Sequence, residues 1–166
     1  MHPNATPIMA TAPYQVQSAP FPTQTKTASA PINNTLTTVT STLFTDKILL
    51  TITFTASASS ARAGCLSHWV HVPLATSNST LQDPSVAARS GNGDLLPRTD
   101  LTATTVLGGT KREDEAVGQT LATMLASQIL VKRPGEERLL VLGLGPVGGL
   151  GSSGLGDLVG LCLGVL

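Results

Sequence analysis

Residues 47–55 decide the fold, and they read Lys47-Ile48-Leu49-Leu50-Thr51-Ile52-Thr53-Phe54-Thr55. Apolar residues alternate with threonines along most of this stretch, which is the two-residue period of a β-strand. One side of the strand is apolar and needs a core to pack against. The other side carries a row of threonines, which suits a sheet surface that faces water or a partner. The stretch therefore predicts a sheet with one buried face and one semi-polar face.

The chain around this strand predicts more strands and one well-marked helix. Five further strands are predicted, over residues 23–30, 35–44, 66–73, 101–107 and 139–142. The strand at 35–44 and residues 47–55 are close enough in sequence to form a hairpin. A helix is predicted from Glu113 to Lys132, with Thr110 and Glu113 as a capping box at its start. Its apolar stripe is expected to pack on the apolar side of residues 47–55, and consists of Val117, Leu121, Met124, Leu125 and Ile129.

Length and composition favour a single domain without an electrostatic partner. The chain has 166 residues, ten of them basic and ten acidic, so the formal net charge is zero. A neutral chain offers little attraction to nucleic acid or anionic lipid. Residues 1–19 are rich in Pro, Ala and Thr and predict a disordered tail. Residues 20–166 are expected to form the domain, with flexible loops at 56–64, 75–99 and 145–156.

No motif in the sequence predicts catalysis, a cofactor or a metal. Residues 143–148 match the G-x-G-x-x-G pattern of dinucleotide sites, but neither the helix nor the later acidic residue of that fingerprint follows. His68 and His71 fall on opposite faces of one strand, without nearby carboxylates or cysteines to complete a metal site. An enzyme would need a pocket with convergent polar groups, which these elements do not predict.

Trp69 falls on the same strand face as His71, opposite the apolar residues of its strand. An aromatic side chain on a semi-polar sheet face is either an interface anchor or a ring that lies flat on its own sheet. His68 is expected at the edge of the core with a backbone partner. We predict that the chain is a poor monomer and pairs through this face. The candidate interface residues are Thr51, Thr53, Thr55, Trp69 and His71.

The C-terminal segment is open to two interpretations. Residues 139–166 contain a single charge, Asp157, and the small residues Gly156, Gly160 and Gly164 have the spacing of membrane helix pairs. Pro146 and the glycines around it interrupt the apolar run before it reaches the length of a membrane span. The segment is then either a tail anchor or a short helix over residues 157–166, capped by Asp157, that lies on the sheet.

Several stretches together carry a family resemblance, namely Pro20–Ser29, Asp46–Thr53, Leu66–Leu74, Thr105–Gly109 and Arg138–Leu142. In this order they resemble fungal members of the proteasome assembly chaperone 3 family, over most of residues 20–145. Residues 56–64 and 76–96 look longer than the family needs. The segment after Leu144 is also richer in glycine than a family member's last helix.

The resemblance implies an α+β fold in the order βββββαβα, with a six-stranded antiparallel sheet and two helices packed on one face. It implies a non-catalytic chaperone. Residues 1–20 lack the basic start and continuous apolar run of a signal peptide, so the expected location is the cytoplasm, with the nucleus as a further site. Such a protein forms a heterodimer with a sister chaperone of the same fold. It binds an alpha subunit and promotes alpha-ring assembly of the proteasome core particle. The alternative function is a tail-anchored or peripheral membrane adaptor that uses the Gly/Leu-rich C-terminal segment.

Overall fold

The computed structural model describes residues 23–55, 64–75, 100–146 and 152–166. The predicted tail at 1–19 and most of the predicted loops at 56–64 and 75–99 lie outside these residues. The secondary-structure elements are β1 (Gln24–Ile32), β2 (Thr35–Leu43), β3 (Lys47–Thr55), β4 (His68–Pro73), β5 (Thr104–Leu107), α1 (Arg112–Lys132), β6 (Leu139–Leu144) and α2 (Ser152–Val165). The predicted element order βββββαβα is confirmed.

All six strands form one sheet in the order β1-β2-β3-β6-β4-β5. Four of the five strand pairs are antiparallel, but β3 and β6 are parallel. The sheet is therefore mixed, although largely antiparallel as expected. Parallel neighbours need a long connection, and β4, β5 and α1 together supply it between β3 and β6.

The β1–β2 hairpin turns at two asparagines that adopt a left-handed backbone. Asn33 has φ of 48° and Asn34 has φ of 59°, and Ile32 pairs with Thr35 on either side of them. Two consecutive positive φ angles are the mark of a type I′ turn, whose twist matches that of the strands it joins. The first strand consequently runs to Ile32, two residues beyond its predicted end.

The apolar side of β3 is buried as its alternation predicts, completely at its first three apolar residues and partly at Phe54. Ile48, Leu50 and Ile52 have no exposed surface. Their register partners on β6 are Leu140, Leu142 and Leu144, which are equally buried. Each such side chain contributes about 1.5–3 kcal/mol when it is removed from water. This buried side of the sheet is the core face, and both helices pack on it.

Helix α1 covers a different part of the core face from the predicted one. It packs on β4, with smaller contacts to β6 and β5, because it joins β5 to β6 and β4 lies between those strands. The expected packing of its stripe on β3 is therefore wrong. Leu121 and Leu125 of the stripe are fully buried, whereas Val117 and Met124 are only partly so.

The capping box predicted at the start of α1 is also wrong. The helix begins at Arg112, so the cap position falls on Lys111, and no side chain caps it. Thr110 lies one residue too early to reach the first-turn amides. The acidic residues of the first turn, Glu113 among them, still place negative charge at the positive end of the helix dipole.

Helix α2 begins at Ser152 and is longer than predicted. Asp157 is therefore an exposed residue inside the helix and not its cap. The predicted glycine-rich link at 145–156 is helical from residue 152 onward, and residues 147–151 lie outside the described part. Four apolar side chains of α2 pack into the core and offset the poor helix propensity of its glycines. They are Leu158, Val159, Cys162 and Val165.

Candidate protein-interaction face

The side of the sheet opposite both helices is the open face. Within the described ranges, no other element packs on it. The five predicted interface residues all lie here, because they alternate with the buried residues of β3 and β4. Thr51 and Trp69 flank the same residue, Gly143 of β6, and His71 pairs with Val141. Thr53 and Thr55 lie further along β3, beyond the end of its pairing with β6 and opposite residues of β2.

The β1–β2 half of the open face is a ladder of hydroxyl groups that bond one another. Thr27 Oγ1 and Thr40 Oγ1 lie 3.1 Å apart, and Ser29 Oγ and Thr38 Oγ1 lie 2.9 Å apart. Cross-strand pairs of this kind stabilise a sheet by about 0.2–1 kcal/mol each. Since these hydroxyls already have partners, this half has little need of an external hydrogen-bond partner.

Trp69 lies flat across its own sheet. A Cβ atom placed on Gly143 would come within 2.9 Å of Cζ3 and 3.0 Å of Cη2 of the indole. The benzene part of the ring therefore rests directly on the backbone of β6, and Trp69 is half-buried although neither described helix covers it. In the chain without a partner, Trp69 thus has the second of its two predicted arrangements, a ring that lies flat on its own sheet.

An apolar patch surrounds the exposed side of Trp69. It is a shallow depression lined by Trp69, His71, Val106, Leu107 and Val141. Val106 is 60% exposed and Leu107 66% exposed. The register between β4 and β5 shifts beside Trp69, and this irregularity turns two consecutive apolar residues outward, as bulges do. This exposed apolar cluster is the candidate interaction surface of the open face.

The open face carries almost no charge. Lys47, at the beginning of β3, is the one charged strand residue on it within the described part of the chain. Its ammonium lies 3.0 Å from the Asp46 carboxylate, and that hydrogen bond lowers the pKa of Asp46. A neutral face of this kind suits recognition by shape and apolar contact rather than by charge.

Four residues of this surface were not predicted from the sequence, namely Val106, Leu107, Val141 and Gly143. Val106 and Leu107 were assigned to a strand, but the register shift that turns both outward cannot be read from a two-residue period. Gly143 was considered only as part of a nucleotide-binding pattern. Val141 and Gly143 alternate with the buried leucines of β6 and so lie on the other side of the sheet. This two-residue period is the sequence signal that could have placed them on the open face.

His68 belongs to the core face, beneath the patch and not on it. It is 2% exposed, and its ring Nε2 lies 3.3 Å from Thr105 Oγ1. The hydrogen-bond partner of His68 is therefore a side chain and not the backbone group that was expected. Gln119 of α1 donates hydrogen bonds of 3.2 Å both to that hydroxyl and to Glu115 Oε1. This polar network joins β4, β5 and α1.

Burial lowers the pKa of His68, although the nearby carboxylates of Glu115 and Asp114 act in the opposite direction. Its Nδ1 has no hydrogen-bond partner in the structure, and the ring fills the space beside Gly118, where any Cβ atom would collide with it. A protonated ring would bury an unpaired N–H donor, so the neutral form is favoured.

The described residues contain no cluster of three metal-ligating side chains. Cys162 is buried, and burial raises its pKa to about 12, which keeps it a neutral thiol. None of the described helices is both long enough and apolar enough to cross a membrane. The apolar side of α2 is instead used in the core, as the second interpretation of the C-terminal segment expects.

Comparison with known proteins finds similarity in structure and none in sequence. No protein-family model matches the chain, and no curated protein does so. Among solved structures, a chain from the crystal structure of a novel chaperone complex for yeast 20S proteasome assembly has a similar fold. The TM-score is 0.50 at 14% identity, and the match covers 87% of this chain and 98% of that one. The two chains thus share their fold.

Proposed function

We propose that this protein is a non-catalytic proteasome assembly chaperone of the cytoplasm. It pairs with a sister chaperone of the same fold and binds an alpha subunit, and so promotes alpha-ring assembly of the core particle. The observation that carries the proposal is the open face, a nearly uncharged sheet surface with an exposed apolar patch. The fold likeness to a chain of a yeast assembly chaperone complex supports it.

The pairing uses the apolar patch of the open face. Burying Val106, Leu107 and the exposed side of Trp69 against a second apolar surface removes them from water, and this is the main favourable term in association. The neighbouring threonines and serine are satisfied by one another. They can face a partner without leaving a polar group unpaired. No cofactor or metal takes part in this mode of binding.

Deletion of the gene tests the proposal. We expect cells without it to contain less assembled core particle and to accumulate misassembled alpha rings, most clearly under heat stress. Native gel electrophoresis with antibodies against alpha subunits measures both quantities. A normal yield of core particle in the deletion strain, with no alpha subunit bound to the protein, would refute the chaperone function.

Three plasmid-borne variants make that test specific. A chain that lacks residues 1–20 should restore assembly, because the tail is not part of the proposed contacts. Leu107→Lys should fail, since it places a charge in the apolar patch. Val131→Lys is the matched control, because Val131 is also an exposed apolar residue, 47% accessible, but lies on α1. It should restore assembly.

A further inference from the structure

The backbone conformation at Gly143 does not require glycine. It lies within β6, near the middle of the sheet, between Thr51 and Trp69. The glycines of the described residues with positive φ are Gly64, Gly108 and Gly109, and Gly143 is not among them. Glycine weakens a strand interior because it loses more freedom on folding than other residues and has no side chain to pack.

The space above Gly143 explains its presence. The three atoms nearest to a Cβ built on it are Cζ3, Cη2 and Cε3 of Trp69, at 2.9, 3.0 and 3.2 Å. All three belong to one indole ring, and no backbone atom lies as near. A side chain at position 143 would therefore displace this ring rather than the sheet.

We propose that Gly143 is a positioning residue that holds Trp69 flat on the open face. With the ring on the bare backbone of β6, Trp69, Val141 and Leu107 line one apolar patch before any partner arrives. A surface ordered in advance avoids the loss of side-chain freedom that association otherwise imposes on each immobilised side chain.

The position of the ring also specifies the partner's surface. A tryptophan lying flat has no free end to insert into a pocket, and among the described strand residues of this face Lys47 alone is charged. The matching surface is therefore the flat, uncharged, apolar sheet face of the sister chaperone. This inference rests on the proposed pairing through the open face.

Trp69 is the single tryptophan of the chain, so its fluorescence reports its own surroundings. In Gly143→Ala we expect the emission maximum to move to longer wavelength and acrylamide to quench the ring more strongly, because the ring is lifted into solvent. Gly160→Ala is the control, since nothing lies within 4 Å of a Cβ at that exposed helical position. An emission spectrum unchanged by Gly143→Ala would overturn the positioning role.

A double-mutant cycle measures the effect on binding. The probe is the sister chaperone that co-purifies with the wild-type chain, titrated by calorimetry. Gly143→Ala should weaken its binding about tenfold, a change large enough to separate from experimental error. In a Trp69→Leu background the same substitution should have little further effect, because the ring that it displaces is gone.

The outcomes separate this inference from the proposed function. Equal losses of affinity in both backgrounds would mean that Gly143 does not act through Trp69, and the positioning role fails while the pairing stands. If no chaperone co-purifies with the wild-type chain, the proposed pairing fails. Circular dichroism melting curves of every variant confirm that each remains folded.

Discussion

Trp69 is the largest apolar side chain on the open face, and its contribution to pairing can be measured. We expect Trp69→Ala to weaken binding of the sister chaperone by about 2 kcal/mol or more, as truncation of a central aromatic anchor does. Leu36 lies on the same face, 49% exposed and outside the patch, so Leu36→Ala should change the affinity much less. Co-elution of the Trp69→Ala chain at unchanged affinity would show that the patch is not the interface.

His68 makes the stability of the fold depend on pH. Its pKa is lowered in the folded chain from the ordinary value of 6.5. Above that value both folded and unfolded states are neutral, and the stability is fully present. As the pH falls below it, the unfolded state takes up a proton that the folded state resists, so the stability declines towards the lower folded-state pKa.

We therefore expect the melting temperature of the wild type to fall between pH 7 and pH 5.5, and that of His68→Leu to fall less over the same interval. The charged groups that face the ring, Glu115 and Asp114, are present in both chains. Parallel pH profiles for the two chains would contradict the neutral, buried state of His68.

Helix α1 depends on Leu121, which is fully buried against the sheet. Leu121→Ala should lower the free energy of unfolding by about 2–5 kcal/mol, through lost burial and a residual cavity. Val131→Ala on the exposed side of the same helix should change it by less than about 0.5 kcal/mol. Urea denaturation of both variants measures the difference, and equal stabilities would mean that α1 does not pack as described.

Substitution by alanine should have opposite effects at Gly160 of α2 and Gly118 of α1. Gly160 of α2 is exposed, with open space where a Cβ would stand, so Gly160→Ala should stabilise the chain by up to about 1 kcal/mol. Gly118 of α1 lies against the ring of His68, so Gly118→Ala should destabilise it. Thermal melts that shifted in the same direction for both variants would be inconsistent with this packing.

The strands could be predicted where one period dominates, and the helix ends could not. In β3 the alternation matches the burial from Ile48 to Thr53, and only Phe54 of its apolar side is partly exposed. The capping motif at Thr110 is a local signal. Because the helix begins one residue later than the motif predicts, Thr110 does not cap it. The start of α2 at Ser152 depends on burial against β1 and β2, which a glycine-rich sequence does not reveal.

At the scale of the whole molecule, the candidate site could be predicted in part. The five predicted residues share the open face because strand period alone determines sides. The apolar patch was hidden because it joins β4, β5 and β6, and the pairing of β6 between β3 and β4 follows from the crossover through α1 rather than from any local pattern. The interface prediction itself stays a prediction.

The most direct test of the chaperone function is affinity purification of the tagged chain from its own cells, followed by mass spectrometry. We expect proteasome alpha subunits and one further chaperone of the same fold to co-purify with the wild type. The same chaperone should be depleted from Trp69→Ala preparations of equal yield. A wild-type preparation that contains no proteasome alpha subunit would contradict the proposed function.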